Sequence, residues 1–157
     1  MQRSELQQHL EEARTQIERQ LAGLSQEQML YHEAPEAWSV RDLIAHLNFW
    51  EQTGLENLHR FLHSEPGVLV SGETDAINAQ VYAANQLRPP SLVIEEFNRT
   101  HANLVAAIEH FSDADLSDRI VFDREPLWEY IWGESGEHFL EHLDDLKEKV
   151  TAAKAHA

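Results

Sequence analysis

The sequence predicts an all-α protein, a four-helix bundle with short additional helices. Three observations carry this: apolar residues recur at helical rather than alternating spacing, Ser-capped starts precede the long periodic stretches, and no segment is both long and alternating enough to build a sheet. The 157 residues fit one domain, 1–157, and 42 % apolar content is enough to build a core.

Leu6, Leu10, Ala13, Ile17 and Leu21 place the first helix at 4–21, with Gly23 closing it. Ser25 and Gln28 form a capping-box pattern for one short turn, and Tyr31 to Trp38, which contains Pro35, is a loop. Ser39, followed by an acid at Asp42, opens the next helix, 40–63, which Ser64-Glu65-Pro66-Gly67 ends. Val68-Leu69-Val70 is too short for a sheet and reads as loop. Thr74 or Asp75 caps a shorter helix over 75–86. Pro89-Pro90 breaks the chain and Ser91 caps a helix over 91–111. Ser112 starts another short turn, and Ile120-Val121-Phe122 suits a brief extended piece. Pro126 then precedes a last helical stretch, 127–155, interrupted or bent at Gly133 to Gly136.

Charge and composition narrow the function. With 28 acidic and 12 basic side chains the net charge is −16, so the sequence predicts no nucleic-acid partner and no anionic-membrane partner. No apolar run has the length of a membrane span, and the N-terminus has no signal-peptide pattern, which points to the cytoplasm. The absence of cysteine removes disulfides, thiolate ligands and a cysteine nucleophile. No phosphate loop or nucleophile elbow occurs, and nothing beyond proximity links Ser135 to His138 as a dyad.

The ten histidines are more informative. His138 and His142 are spaced i,i+4, which places both imidazoles on one helix face about 6 Å apart at Cβ. A metal site needs a third ligand. His46 lies roughly 70° from the centre of the stripe formed by Leu43, Leu47, Trp50, Leu58 and Phe61. His142 and His138 lie roughly 70° and 110° from the stripe of Trp132, Phe139, Leu143, Leu146 and Val150, both on one flank. Taken singly, each histidine reads as a packing residue. Together they fit one crevice between facing helices, where bundle metal sites are built. His59 and His63 share the i,i+4 spacing but lie opposite their stripe, so they belong to the surface. Glu137 and Glu141 also point outward. Asp145, one turn beyond His142, suits an acceptor for an imidazole N–H. Trp50 and Trp128 suit walls of a substrate pocket.

The run Ala37-Trp38-Ser39-Val40-Arg41-Asp42-Leu43-Ile44-Ala45-His46-Leu47 resembles the entry to the second long helix of DinB-like proteins. Ile131 to His142, which includes Gly133-Glu134-Ser135 and His138-Phe139-Leu140-Glu141-His142, resembles an element of their ClbS/DfsB-type branch. The resemblance implies a DinB-like four-helix bundle with a three-histidine metal site at His46, His138 and His142. It also implies a superfamily containing thiol-dependent transferases and isomerases, and a branch containing a protein that opens the cyclopropane of a genotoxic metabolite. Glu134 and Ser135 depart from the branch's usual Asn-Thr, and the added carboxylate at Glu134 offers an acid or base.

The leading expectation is a metal-dependent enzyme acting on a small molecule, of hydrolase or thiol-dependent transferase type. Its cofactor would be a divalent transition metal, zinc or nickel first, with a low-molecular-weight thiol as a further cofactor. Glu134 and Asp145 are the proton-transfer candidates. The alternatives are a non-catalytic protein that sequesters a small molecule, and a homodimer that associates through its first and last helices.

Overall fold

The computed structural model describes residues 1–156. Helix α1 (Arg3–Leu21) ends before Gly23, whose φ of +77° is the left-handed turn that releases the chain. Helix α2 (Gln26–Leu30) is the short capped turn expected after Ser25, and its capping box with Gln28 is complete. Helix α3 (Val40–Leu62) starts at Ser39, whose side chain accepts from the Asp42 amide while Asp42 accepts from Ser39 in return.

Helix α4 (Thr74–Ala84) begins one residue before the expected 75–86, with Glu73 at its cap and no side-chain cap bond. Helix α5 (Pro90–Ile108) begins one residue before Ser91: Pro89 occupies the cap and Pro90 the first helical position. A proline there loses no hydrogen bond, since that N–H has no partner within a helix. Helix α6 (Asp113–Asp118) takes the Ser112 cap. Strands β1 (Ile120–Val121) and β2 (Glu125–Pro126) pair antiparallel, and they are the only sheet among the described residues.

The last helical stretch is not continuous. It divides into α7 (Leu127–Trp132), a π-helical turn (Gly133–Glu137), α8 (His138–Glu141) and α9 (Leu143–Ala155). Gly136 explains part of this: a Cβ there would lie 2.1 Å from the Trp132 ring, so only glycine lets the indole pack over the turn.

The expected apolar stripes meet in two core clusters. One gathers Leu10, Leu58, Phe61, Leu104 and Tyr130 around α7; the other gathers Ile17, Leu43, Leu47, Phe97, Phe139 and Leu146 around α8 and α9. The π turn lies between these two clusters and packs against α1 and α3. No described helix is long and apolar enough to cross a membrane.

Candidate metal centre

His46 comes from the buried first turns of α3 and is 5 % exposed. His138 opens α8, directly after the π turn, and His142 occupies the break between α8 and α9 with φ −97° and ψ 0°. Their ring nitrogens converge. His46 Nε2 lies 3.0 Å from His138 Nε2 and 3.3 Å from His142 Nε2. Three nitrogens bound at 2.0–2.1 Å to one ion would be spaced about 2.9–3.4 Å apart, depending on the bond angles. The donor set therefore fits a single divalent ion, and it is the one such group of three among the described residues.

Burial favours the neutral, ligating form of His46 and His138. Burial holds His138 down to about 3, with His46 and His142 adding to the effect. Burial also lowers His46 to about 4; His142 adds to this and Asn78 opposes it. Uncharged imidazoles keep their lone pairs available at neutral pH. The Nδ1 atoms of His46 and His138 are buried without a hydrogen-bond partner among the described residues.

The cluster forms one side of a crevice of about 460 Å³. Trp38, Trp50, Thr74, Asn78, Gly133 and Glu134 complete its lining. The Trp50 indole donates to Asn78 Oδ1 at 3.0 Å, which fixes that wall, and Trp38 stacks on Tyr82. Glu134 is half-buried and its Oε2 has no partner. Burial, reinforced by Glu125, pushes its carboxyl up to about 7 against the opposing pull of Arg124. A second cavity, of about 410 Å³, lies on the other side of α4 between Ala45, Phe49, Ile77 and Val81. Its charged groups, Arg88 and Glu96, are paired with each other, so it offers no comparable chemistry.

Not every expected residue is here. Trp128 packs, half-buried, on the core cluster of Leu58, Phe61 and Tyr130 rather than lining the crevice. Ten residues of helix put it about 15 Å along the axis from His138. Asp145 is exposed and lies 3.6 Å from Lys149 Nζ, so it faces solvent and not the imidazoles. His59 and His63 are exposed, as are Glu137 and Glu141, in agreement with their helical phase. The sequence reading passed over Trp38, Thr74 and Asn78. Trp38 belongs to the loop before α3, where helical phase carries no information.

The model of the DinB superfamily matches residues 9–145, most of the chain. The chain belongs to the DinB superfamily. Two solved structures share this DinB-type fold. An uncharacterised protein of Escherichia coli UTI89 has a TM-score of 0.81 at 15 % identity, over 98 % of this chain and 95 % of that one. The colibactin self-resistance protein ClbS, in complex with a dsDNA, has a TM-score of 0.79 at 14 % identity, over 94 % of each chain. No curated protein matches the sequence. The expected likeness to ClbS is thus present as a shared fold.

One expectation is corrected by these relatives. The acidic balance predicts no nucleic-acid partner, yet a protein of the same fold is seen bound to duplex DNA. Net charge is a sum over the whole surface, whereas screening limits each phosphate contact to charges within about 10 Å. A total of −16 therefore gives no ground for ruling out nucleic acid.

Proposed function

We propose that the crevice is the divalent-metal centre of an enzyme acting on a small molecule, of hydrolase or thiol-dependent transferase type. The observation that carries this is the convergence of three imidazole nitrogens from segments far apart in sequence, with His138 Nε2 and His142 Nε2 at 3.0 and 3.3 Å from His46 Nε2. His46, His138 and His142 would hold the ion, zinc or nickel first by ligand type. When bound, the ion supplies a Lewis acid that polarises a carbonyl, phosphoryl or thiol group of the substrate.

The chain's own residues do the rest. Trp38 and Trp50 receive an apolar substrate body and exclude water from that side. Glu134, with a carboxyl near 7, populates both forms at neutral pH: the acid can give a proton to a leaving group and the carboxylate can take one from a thiol. Its position in the crevice, rather than its charge alone, gives it that role.

Elemental analysis of protein purified without a histidine tag tests this reading. One equivalent of metal is expected, lost by dialysis from His142→Ala far faster than from the wild type. A triple alanine variant of the three histidines that retains the metal would overturn it.

Duplex-DNA binding is the second reading, and the ClbS complex alone favours it. Fluorescence anisotropy with a labelled duplex at rising salt tests it. Binding that survives 0.2 M salt supports this reading, since weak phosphate attraction falls steeply over that range.

A further inference from the structure

Behind the crevice lies a buried polar cluster that draws one side chain from each of four elements. Glu51 of α3 and Ser135 of the π turn are both fully buried, and Arg14 of α1 and His101 of α5 are 2 % and 7 % exposed. Ser135 Oγ donates to Glu51 Oε1 at 2.8 Å, and His101 Nδ1 lies 2.7 Å from the same oxygen. Arg14 Nη1 lies 3.9 Å from Glu51 Oε2, while its guanidinium sits 3.4 Å over the Phe97 ring. The carboxylate lies between the serine and the histidine, so the imidazole has no access to the hydroxyl and the group is not a nucleophilic triad.

Burying a carboxylate costs several kcal/mol unless it is paired and hydrogen-bonded. The cluster therefore calls for a reason, and its position supplies one. Glu51 is five residues beyond His46 on α3, and Ser135 is three residues before His138. One turn along α3 from Glu51, Gly54 receives the neighbouring residue of the π turn: a Cβ at 54 would lie 3.1 Å from Glu134 Cβ. Two successive residues, Glu134 and Ser135, thus dock on two positions of α3 that are one turn apart. That double contact fixes the height and rotation of the π turn against α3, and so the register of His138 against His46.

We propose that Glu51 and Ser135 form a positioning clamp that sets the spacing of the metal-binding nitrogens. The inference rests on the metal reading above. The Glu51 and Ser135 side chains do not line the crevice; they act through the backbone that carries His138, whose N–H donates to the Ser135 carbonyl. Arg14 and His101 hold Glu51 oriented for Ser135.

The test compares Ser135→Ala, Glu51→Gln and Gly54→Ala with Leu116→Ala, a fully buried core variant on α6, away from the clamp. Each is titrated with Zn²⁺ against a competing chelator, melted, and followed by amide hydrogen exchange over 133–138. Ser135→Ala removes only the hydroxyl. It is expected to weaken Zn²⁺ about tenfold, the scale of outer-shell substitutions, and to speed exchange across the π turn. Gly54→Ala, whose methyl would crowd Glu134 Cβ and shift the turn by a few tenths of an ångström, should do the same. Glu51→Gln keeps an acceptor for Ser135 and should keep near-wild-type affinity, although loss of the charge beside Arg14 lowers its melting temperature. Leu116→Ala should melt earlier without selective change in either Zn²⁺ affinity or exchange at the turn.

A purely structural role would make affinity follow melting temperature across the set. Wild-type Zn²⁺ affinity and wild-type exchange in Ser135→Ala would overturn the clamp. If the wild type itself takes up no Zn²⁺, the metal reading fails, and exchange at 133–138 alone decides the clamp: unchanged rates in Ser135→Ala reject it.

Discussion

Glu134 and the histidines titrate in opposite senses, and that makes them separable. The folded state holds the Glu134 carboxyl near 7, above its value of 4.5 in an open chain, so the native protein binds more protons between those values. Stability from this group is present below pH 4.5 and is lost as pH rises through 7. Glu134→Gln should therefore stabilise the protein at pH 8 and change it little at pH 4.5, in urea melts at the two values. An equal gain at both would show that the carboxyl is solvated and ordinary. His46 and His138 are lowered to about 4 and 3, below the 6.5 of an open chain. Here the unfolded chain binds more protons, so stability is intact above 6.5 and falls as pH drops towards 3. Alanine at both positions should flatten that acid limb. Such residue-scale behaviour was only partly legible: i,i+4 spacing marked His138 and His142, but no local pattern shows that Glu134 is half-buried.

At the scale of elements, the capped starts were the most legible features. Ser39, Ser25 and Ser112 each cap the helix expected of them, because a capping box is written within four consecutive residues. Ser39→Ala should cost about 1 kcal/mol in thermal or urea unfolding. The π turn is different. Its bend was expected from Gly133 and Gly136, but its extra residue per turn resets the helical phase, which periodicity cannot anticipate. Gly136→Ala drives a methyl into the Trp132 ring and should cost about 1–3 kcal/mol. It should also disturb metal uptake, because His138 lies two residues further on. The clamp was written in the sequence as well, as charges inside apolar stripes: Arg14 follows Leu10, Glu51 follows Leu47 and His101 follows Phe97, each by four residues. A polar residue on a buried face signals a partner without naming it.

For the whole molecule, linkage between metal and folding gives the broadest expectation. An ion that binds the assembled histidines and not the open chain raises the melting temperature in proportion to the logarithm of its excess over Kd. Added Zn²⁺ should raise it at pH 7.5, less at pH 5.5 where protons compete, and hardly at all in His46→Ala. Equal shifts in the wild type and the triple alanine variant would place the ion on the acidic surface instead. The correction over nucleic acid belongs to this scale too, since a net charge describes the molecule from a distance and says little about one face of it.

By itself the sequence determined the all-α class, the long helices, the exposure of His59 and His63, and the three histidines suited to a common site. These follow from capping and from phase around a single helix axis, which are properties of neighbours in the chain. Tertiary structure alone decided that of the two expected walls Trp50 lines the crevice, while Trp128 packs half-buried on a core cluster and Asp145 turns to Lys149. It alone joined Arg14, Glu51, His101 and Ser135. Phase fixes which way a side chain leaves its own helix; which helix it then meets, and at what height, depends on packing between segments up to about a hundred residues apart.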